Sequence, residues 1–244
     1  MKAIVTLSVV LFISINTGFS QSQFDSDVFK TDKGDLKISF IGHGSLMFEF
    51  NGLVIHDDPW SRVADYTQMP KADIILVTHH HGDHLDKKAI DEVTKDGTEL
   101  LLTELCKEQI GEGTVMANGD VKTVKGIKIE AVPAYNLVHM TNDGKPFHVK
   151  GQCNGYVLTF GNKRVYIAGD TENIPEMKDL KDIDIAFLPM NLPYTMTPEM
   201  VVSAIKMFHP KIVYPYHYGS KEDTDKLVKL MANQHTTEIR VRKF

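Results

Sequence analysis

The chain is poor in several features that would have fixed its class at once. Only two of its 244 residues are cysteine, Cys106 and Cys153, and only one is tryptophan. Two cysteines cannot build a disulfide-rich scaffold. Whether they pair or stay as separate buried thiols is open, because pairing requires a Cα separation that sequence spacing does not give. Neither sign of charge dominates: 27 Lys and Arg stand against 32 Asp and Glu, a net −5. That balance gives no electrostatic case for a nucleic acid partner. It does not exclude an anionic substrate, since bound metal ions would set the local field. The sequence has no low-complexity stretch, no repeat of fixed period and no Pro/Gly/Ser linker, so it reads as one domain.

A long apolar run is also missing. Residues 3–15 are mostly apolar but fall short of the ~18–20 residues that a membrane-spanning helix needs. They follow Lys2 and precede Gly18, Phe19 and Ser20, with small residues at −3 and −1 of a cleavage point before Gln21. This is the pattern of a secretory signal peptide. The expectation is a leader over residues 1–20, a single mature domain over 21–244 that is exported to a periplasm or beyond, and no membrane span after cleavage.

What the chain does have is an ordered succession of strands and helices. Residues 36–41 alternate apolar and polar. Residues 46–50 and 53–56 flank Asn51-Gly52, a hairpin signal. Residues 74–78 form a continuous apolar run of buried-strand type. A helix is expected over 86–93 with Asp86 at its N-cap, and a short strand over 100–103. Two more hairpins follow, 121–124 with 127–132 and 156–160 with 164–168. Strands over 183–188, 212–216 and 239–241 alternate with helices over 197–208 and 221–233; Thr197-Pro198 supplies a cap and a first-turn proline. Meanders that give way to strand–helix alternation favour two sheets covered by helices, with chemistry on loops at strand ends.

The apolar run 74–78 ends on Val77-Thr78-His79-His80-His81-Gly82-Asp83-His84, which contains H-x-H-x-D-H. Imidazole is the commonest zinc ligand, and a carboxylate adds charge and a hard oxygen. On a turn after a strand, His79 and His81 can converge on one ion while Asp83 and His84 reach a second; His80 points away. Asp170 and His217 also stand at strand ends. Alone each is weak, since a strand-end Asp is commonly a turn former. Together with the cluster they provide enough donors for two ions.

These residues carry a resemblance. The chain resembles the metallo-beta-lactamase superfamily, and more finely the branch with ascorbate phosphate lactonases and N-acyl-phosphatidylethanolamine phospholipase D enzymes. The carrying segments are Ile41-Gly42-His43-Gly44-Ser45, Asp58-Pro59, the histidine cluster, Ala168-Gly169-Asp170-Thr171, Phe187-Leu188-Pro189, Tyr194-Thr195-Met196 and Tyr216-His217-Tyr218. The resemblance implies an α/β fold, an αββα four-layer sandwich with the metals at one edge between the sheets. It implies that His79 and His81 bind a first ion, that Asp83, His84 and His217 surround a second, and that Asp170 bridges. Asp58 would orient a ligand histidine, and His43 would lie near the mouth. The family's usual third histidine of the first site is replaced here by Asn136, in Val132-Pro133-Ala134-Tyr135-Asn136. Asn136 could ligate weakly and favour a harder ion, or His148 or His139 could swing in. The favoured arrangement has Asn136 close to the site with His148 as its partner or as a substrate contact.

The implied activity is hydrolysis of an ester, lactone, amide or phosphodiester by a metal-bound hydroxide. The ions would be two divalent cations, Zn2+ first and Mn2+ as the alternative, with Asp83 returning the proton. The substrate would be a small molecule or lipid-like. The competing reading is a non-catalytic metal-binding protein that keeps the fold, supported only by Asn136. Arg62 and Lys145 are isolated and form no phosphate clamp; Met177, Met190, Met196, Met200 and Met207 line a greasy mouth or simply fill the core.

Overall fold

The computed structural model describes residues 24–244, so the expected leader over 1–20 lies outside the described residues. Two seven-stranded sheets make up the chain, one from each half. The first contains β1 (Ser26–Thr31), β2 (Gly34–Gly42), β3 (Ser45–Phe50), β4 (Leu53–Asp57), β5 (Ile74–Leu76), β6 (Glu99–Leu102) and β7 (Thr114–Val115). The second contains β8 (Val121–Val124), β9 (Ile127–Ala134), β10 (Cys153–Phe160), β11 (Lys163–Ile167), β12 (Ile185–Met190), β13 (Ile212–Tyr218) and β14 (Glu238–Ile239). In both sheets the spatial order follows the chain. The first four strands of each are antiparallel neighbours and the last four are parallel. Helices occupy four of the parallel crossovers: α1 (Lys87–Val93) and α2 (Glu104–Ile110) in the first half, α3 (Pro198–Phe208) and α4 (Lys221–Met231) in the second.

Strand alternation distributes the apolar side chains into three layers. Leu36, Ile38 and Phe40 of β2, Ile74 and Leu76 of β5, and Ile185 and Phe187 of β12 meet between the sheets. Their neighbours turn outward: Ile75 packs with Ile90, Val93 and Cys106 beneath α1 and α2, and Ala186 and Leu188 pack with Val201, Ala204, Ile205 and Leu227 beneath α3 and α4. This is the expected αββα sandwich. The five methionines named above belong to it: Met177, Met190 and Met196 are buried in the outer core of the second sheet, and Met200 and Met207 pack against it. They line no mouth.

The caps read from sequence are present. The Asp86 carboxylate accepts from the amides of Lys88 and Ala89, and the Thr197 hydroxyl accepts from the Met200 amide. β1, β7 and α2 escape a pattern reading because they are short or irregularly buried. Among the described residues no helix is long and apolar enough to cross a membrane. Cys106 and Cys153 are free and buried, and burial pushes the Cys106 thiol up to about 11 and that of Cys153 higher.

Two outcomes follow from this packing. Phe187 is fully buried, stacked on Tyr214 at 5.2 Å and near Phe40 and Phe48 at 6.3 Å. Phe187→Ala should lower unfolding stability by about 3–5 kcal/mol in urea titration; a loss under about 1 kcal/mol would contradict a rigid inter-sheet core. The native protein should leave both thiols unreacted with Ellman's reagent over minutes and release two on unfolding without reductant. Fewer than two would mean that they pair.

Candidate metal centre

Every expected site residue sits at one edge of the two sheets, where strands end. The run through β5 delivers His79, His81, Asp83 and His84 on the following turn, Asp170 follows β11 by two residues of loop, and His217 lies near the end of β13. The turn after β2 brings in His43 with φ at +55°, and His217 has φ at +46°. These are left-handed conformations that cost energy for a residue with a Cβ. Gly44 permits the close approach: a Cβ there would sit 3.0 Å from His84 Cε1 and 3.6 Å from His217 Cδ2. Gly169, at φ +63°, does the same for Asp170, since a Cβ would lie 2.7 Å from the Asn154 carbonyl oxygen.

The donors fall into two groups. His79 Nε2 lies 3.1 Å from His81 Nδ1, and His148 Nε2 lies 3.2 Å from the same atom. Opposite them, His84 Nε2 and His217 Nε2 lie 3.8 and 3.7 Å from Asp83 Oδ2. Asp170 faces both groups. Its Oδ2 is 3.4 Å from His148 Nε2, and its Oδ1 is 3.6 Å from both His84 Nε2 and His217 Nε2. At Zn–N distances of 2.0–2.1 Å, the edge of a tetrahedral ligand shell is about 3.3 Å. Hydrogen bonds run shorter, near 2.9 Å for N–H···O. The spacing therefore fits donors around a cation better than donors bonded to one another. His84 Nε2, His217 Nε2 and Asp170 Oδ1 are buried and have no hydrogen-bond partner, although they face one another. Buried polar atoms are seldom left so, and a divalent cation would satisfy all three.

The field in this pocket supports the same view. Burial disfavours charge on His84, but Asp170, Asp58 and Asp83 outweigh it and raise its pKa to about 10. Positive charge is thus favoured where a second ion would sit. On the other side, burial and neighbouring histidines push His79 well below its ordinary value, and burial above all takes His148 down to about 4. Those imidazoles stay neutral, which ligation requires.

Partners behind the ligands fix their orientation. Asp58 Oδ2 lies 2.7 Å from His84 Nδ1, and its carboxylate also takes the Thr78 amide and hydroxyl. The Thr78 hydroxyl is 3.0 Å from His79 Nδ1 and the Asn191 amide 3.3 Å from His217 Nδ1. Asp58 thus stands behind a ligand histidine as expected. His43 is half-buried beside the cluster: its Nε2 is 3.0 Å from Asp83 Oδ2 and its ring packs on His217 and Trp60.

The structure redraws the surroundings of Asn136. Its oxygen is occupied, accepting from the backbone amide and Nδ1 of His148 at 2.9 and 2.7 Å. Asn136 therefore turns its oxygen to His148 and not to the donor cluster, and His148 stands beside His79 and His81 as a third imidazole that could hold an ion. His139 turns the other way, with Nδ1 2.7 Å from Glu172 Oε1. His80 joins neither group of donors. Arg62 lies over the Trp60 ring and Lys145 pairs with Asp143, away from the cluster.

Sequence reasoning missed Glu172. It is fully buried and accepts from Asn136 Nδ2 and the amides of Leu137, Val138 and His139 at 2.7–3.0 Å. Burial alone would raise its pKa, but these bonds hold it below the ordinary glutamate value. Its position two residues after Asp170 was the only local signal. Phe147 was missed too, and Tyr194 was noted only within a segment that carries the resemblance; their rings meet at 5.0 Å and line, with His81, Asp83, His148, Asp170, Asn191 and His217, a cavity of about 440 Å³ over the cluster.

The comparisons agree with this geometry. Residues 37–217 match the family model described as a beta-lactamase superfamily domain. A UPF0173 metal-dependent hydrolase of Thermococcus onnurineus is 32% identical over 199 residues, covering 76% of this chain and 85% of that protein. One from Methanopyrus kandleri is 30% identical over 197 residues with the same coverage. Among solved structures, a candidate metal-dependent hydrolase from Parabacteroides distasonis is 52% identical, with a TM-score of 0.86 over 91% of this chain and 99% of that one. The metallo hydrolase Igni18 of Ignicoccus hospitalis, at 24% identity, shares the fold with a TM-score of 0.70 over 85% of this chain and 95% of its own. The chain belongs to the beta-lactamase superfamily, among the metal-dependent hydrolases of the UPF0173 group.

Proposed function

We propose that the chain is a hydrolase with two divalent cations, zinc in the first place and manganese as the alternative. His79, His81 and His148 would hold one; Asp83, His84 and His217 would hold the other, with Asp170 between them. The observation that carries this is the spacing of the two donor groups, with Asp170 turning one oxygen to each. Cations held there bring the pKa of a water toward 7 and draw electron density from the bond under attack. Asp83, in contact with His43, carries the proton to the leaving group. A non-catalytic reading rested on Asn136 alone; with His148 beside His79 and His81, three imidazoles are available to the first ion without Asn136, which favours turnover.

The cavity bears on the substrate. No Lys or Arg lines it, so an ester, lactone or amide suits it better than a phosphodiester. Of eleven exposed large apolar side chains among the described residues, six lie in the two loops beside it: Leu137, Val138, Met140, Val149, Leu192 and Tyr194. Apolar surface gathered at a cavity mouth marks a binding site, which favours a small molecule with an apolar, lipid-like portion. The leader pattern over residues 1–20 supports export before the enzyme acts.

A screen of zinc-reconstituted protein against acyl esters, lactones, amides and phosphodiesters tests this reading. Activity should fall to background with a chelator, return with zinc, and favour octanoyl over acetyl esters. Asp83→Ala should cost about 10²–10⁴-fold in kcat without changing the circular dichroism spectrum. Activity that survives both chelation and a His79→Ala/His81→Ala variant would overturn the assignment.

A further inference from the structure

His148 reaches the centre from a long loop between β9 and β10, unlike the strand-end ligands, and something has to hold it there. Its ring is fixed by a chain of groups whose hydrogen-bonding roles leave no freedom. Asn136 Nδ2 donates to Glu172 Oε1 at 3.0 Å and to the Tyr194 carbonyl at 2.9 Å. A carboxylate and a carbonyl only accept, so the amide nitrogen must face them. Asn136 Oδ1 must then face His148, and it too only accepts. His148 Nδ1 therefore carries the proton in this 2.7 Å contact, and in the neutral ring Nε2 is left with its lone pair turned to His81 and Asp170. The backbone closes the unit: Asn136 N donates to His148 O and His148 N donates to Asn136 Oδ1, both at 2.9 Å.

Glu172 is the root of this chain. Fully buried and with no Lys or Arg beside it, it takes three consecutive backbone amides, those of Leu137, Val138 and His139, at 2.7–2.8 Å. Its carboxylate thus folds the start of the loop around itself while orienting Asn136.

We propose that Glu172 is a positioning residue: through Asn136 it fixes the tautomer and place of His148, and it couples cation binding at the first site to the order of the 137–139 segment. This rests on the two-cation reading above. Coupling is reciprocal by linkage, so zinc should in turn tighten the segment. Groups standing behind metal ligands are worth about 10–100-fold in affinity.

The test uses the full chain, zinc titration and hydrogen exchange, with 15N-histidine spectra of the metal-free protein. In the wild type, His148 should be the Nδ1–H tautomer without metal, and zinc should slow exchange at residues 137–139. Glu172→Gln should speed that exchange at least tenfold and weaken one of two zinc sites 10–100-fold while sparing the other. Asn136→Ala keeps the backbone bonds to Glu172; it should leave exchange near wild type, mix the His148 tautomers and weaken the same site. His148→Ala should lose that site and the zinc effect on exchange together. Wild-type zinc affinity at both sites in Glu172→Gln and Asn136→Ala would overturn the proposal, as would a wild-type His148 protonated on Nε2. A wild type with the Nδ1–H tautomer that binds no zinc would overturn the two-cation reading and the coupling, and leave Glu172 with the loop alone.

Discussion

Imidazole nitrogens and carboxylate oxygens do not gather unpaired in a buried pocket without positive charge among them. In this protein His84 Nε2, His217 Nε2 and Asp170 Oδ1 do so with no hydrogen-bond partner, and His79, His81 and His148 crowd together beside them. Burying an unpaired donor or acceptor costs about 1–3 kcal/mol, and more for a charge. The fold pays that cost at one edge and offsets it through the large apolar layer between the sheets. It also spends backbone strain there, at His43, Asp58 and His217, all with φ between +43° and +55°. Four other non-glycine residues with positive φ, Asn51, Lys125, Asp182 and His209, stand in turns and at a helix end, whereas these three sit among the donors, as strain does at working sites.

The architecture explains how so many donors converge. Each half runs four antiparallel strands into a parallel set, and the parallel strands bring successive strand ends to the same edge. The first half supplies His79 to His84 after β5; the second supplies Asp170 after β11 and His217 at the end of β13. The inter-sheet core, with Phe187 at its centre, sets the distance between the two halves, so the spacing of the donors is inherited from packing rather than from any local motif.

Most of the strands were legible because burial on one face imposes apolar and polar alternation, as in 36–41, and burial on both faces a continuous apolar run, as in 74–78. The helix starts at Asp86 and Thr197 were legible because capping is a local interaction. The ligands of the strand ends were visible for the same reason: each follows directly on an apolar run. Glu172 was not visible. Its partners at 136–139 are more than thirty residues away in sequence, and nothing in its own neighbourhood marks it as the anchor of a loop. Asn136 was legible only as a set of alternatives, for a related reason. An amide in a ligand's position suggests a ligand, and only the direction of its two hydrogen-bonding ends shows that it serves His148. The methionines left two alternatives open, a greasy mouth or the core, and the core absorbs them.

The central claim is that two cations lie side by side with Asp170 between them. Anomalous diffraction at the zinc edge, from crystals of the zinc-reconstituted chain, tests it directly. The account predicts two peaks about 3.5–4 Å apart, one against His79, His81 and His148 and the other against Asp83, His84 and His217. A single peak, or a peak at the first group whose third ligand is not His148, would contradict it.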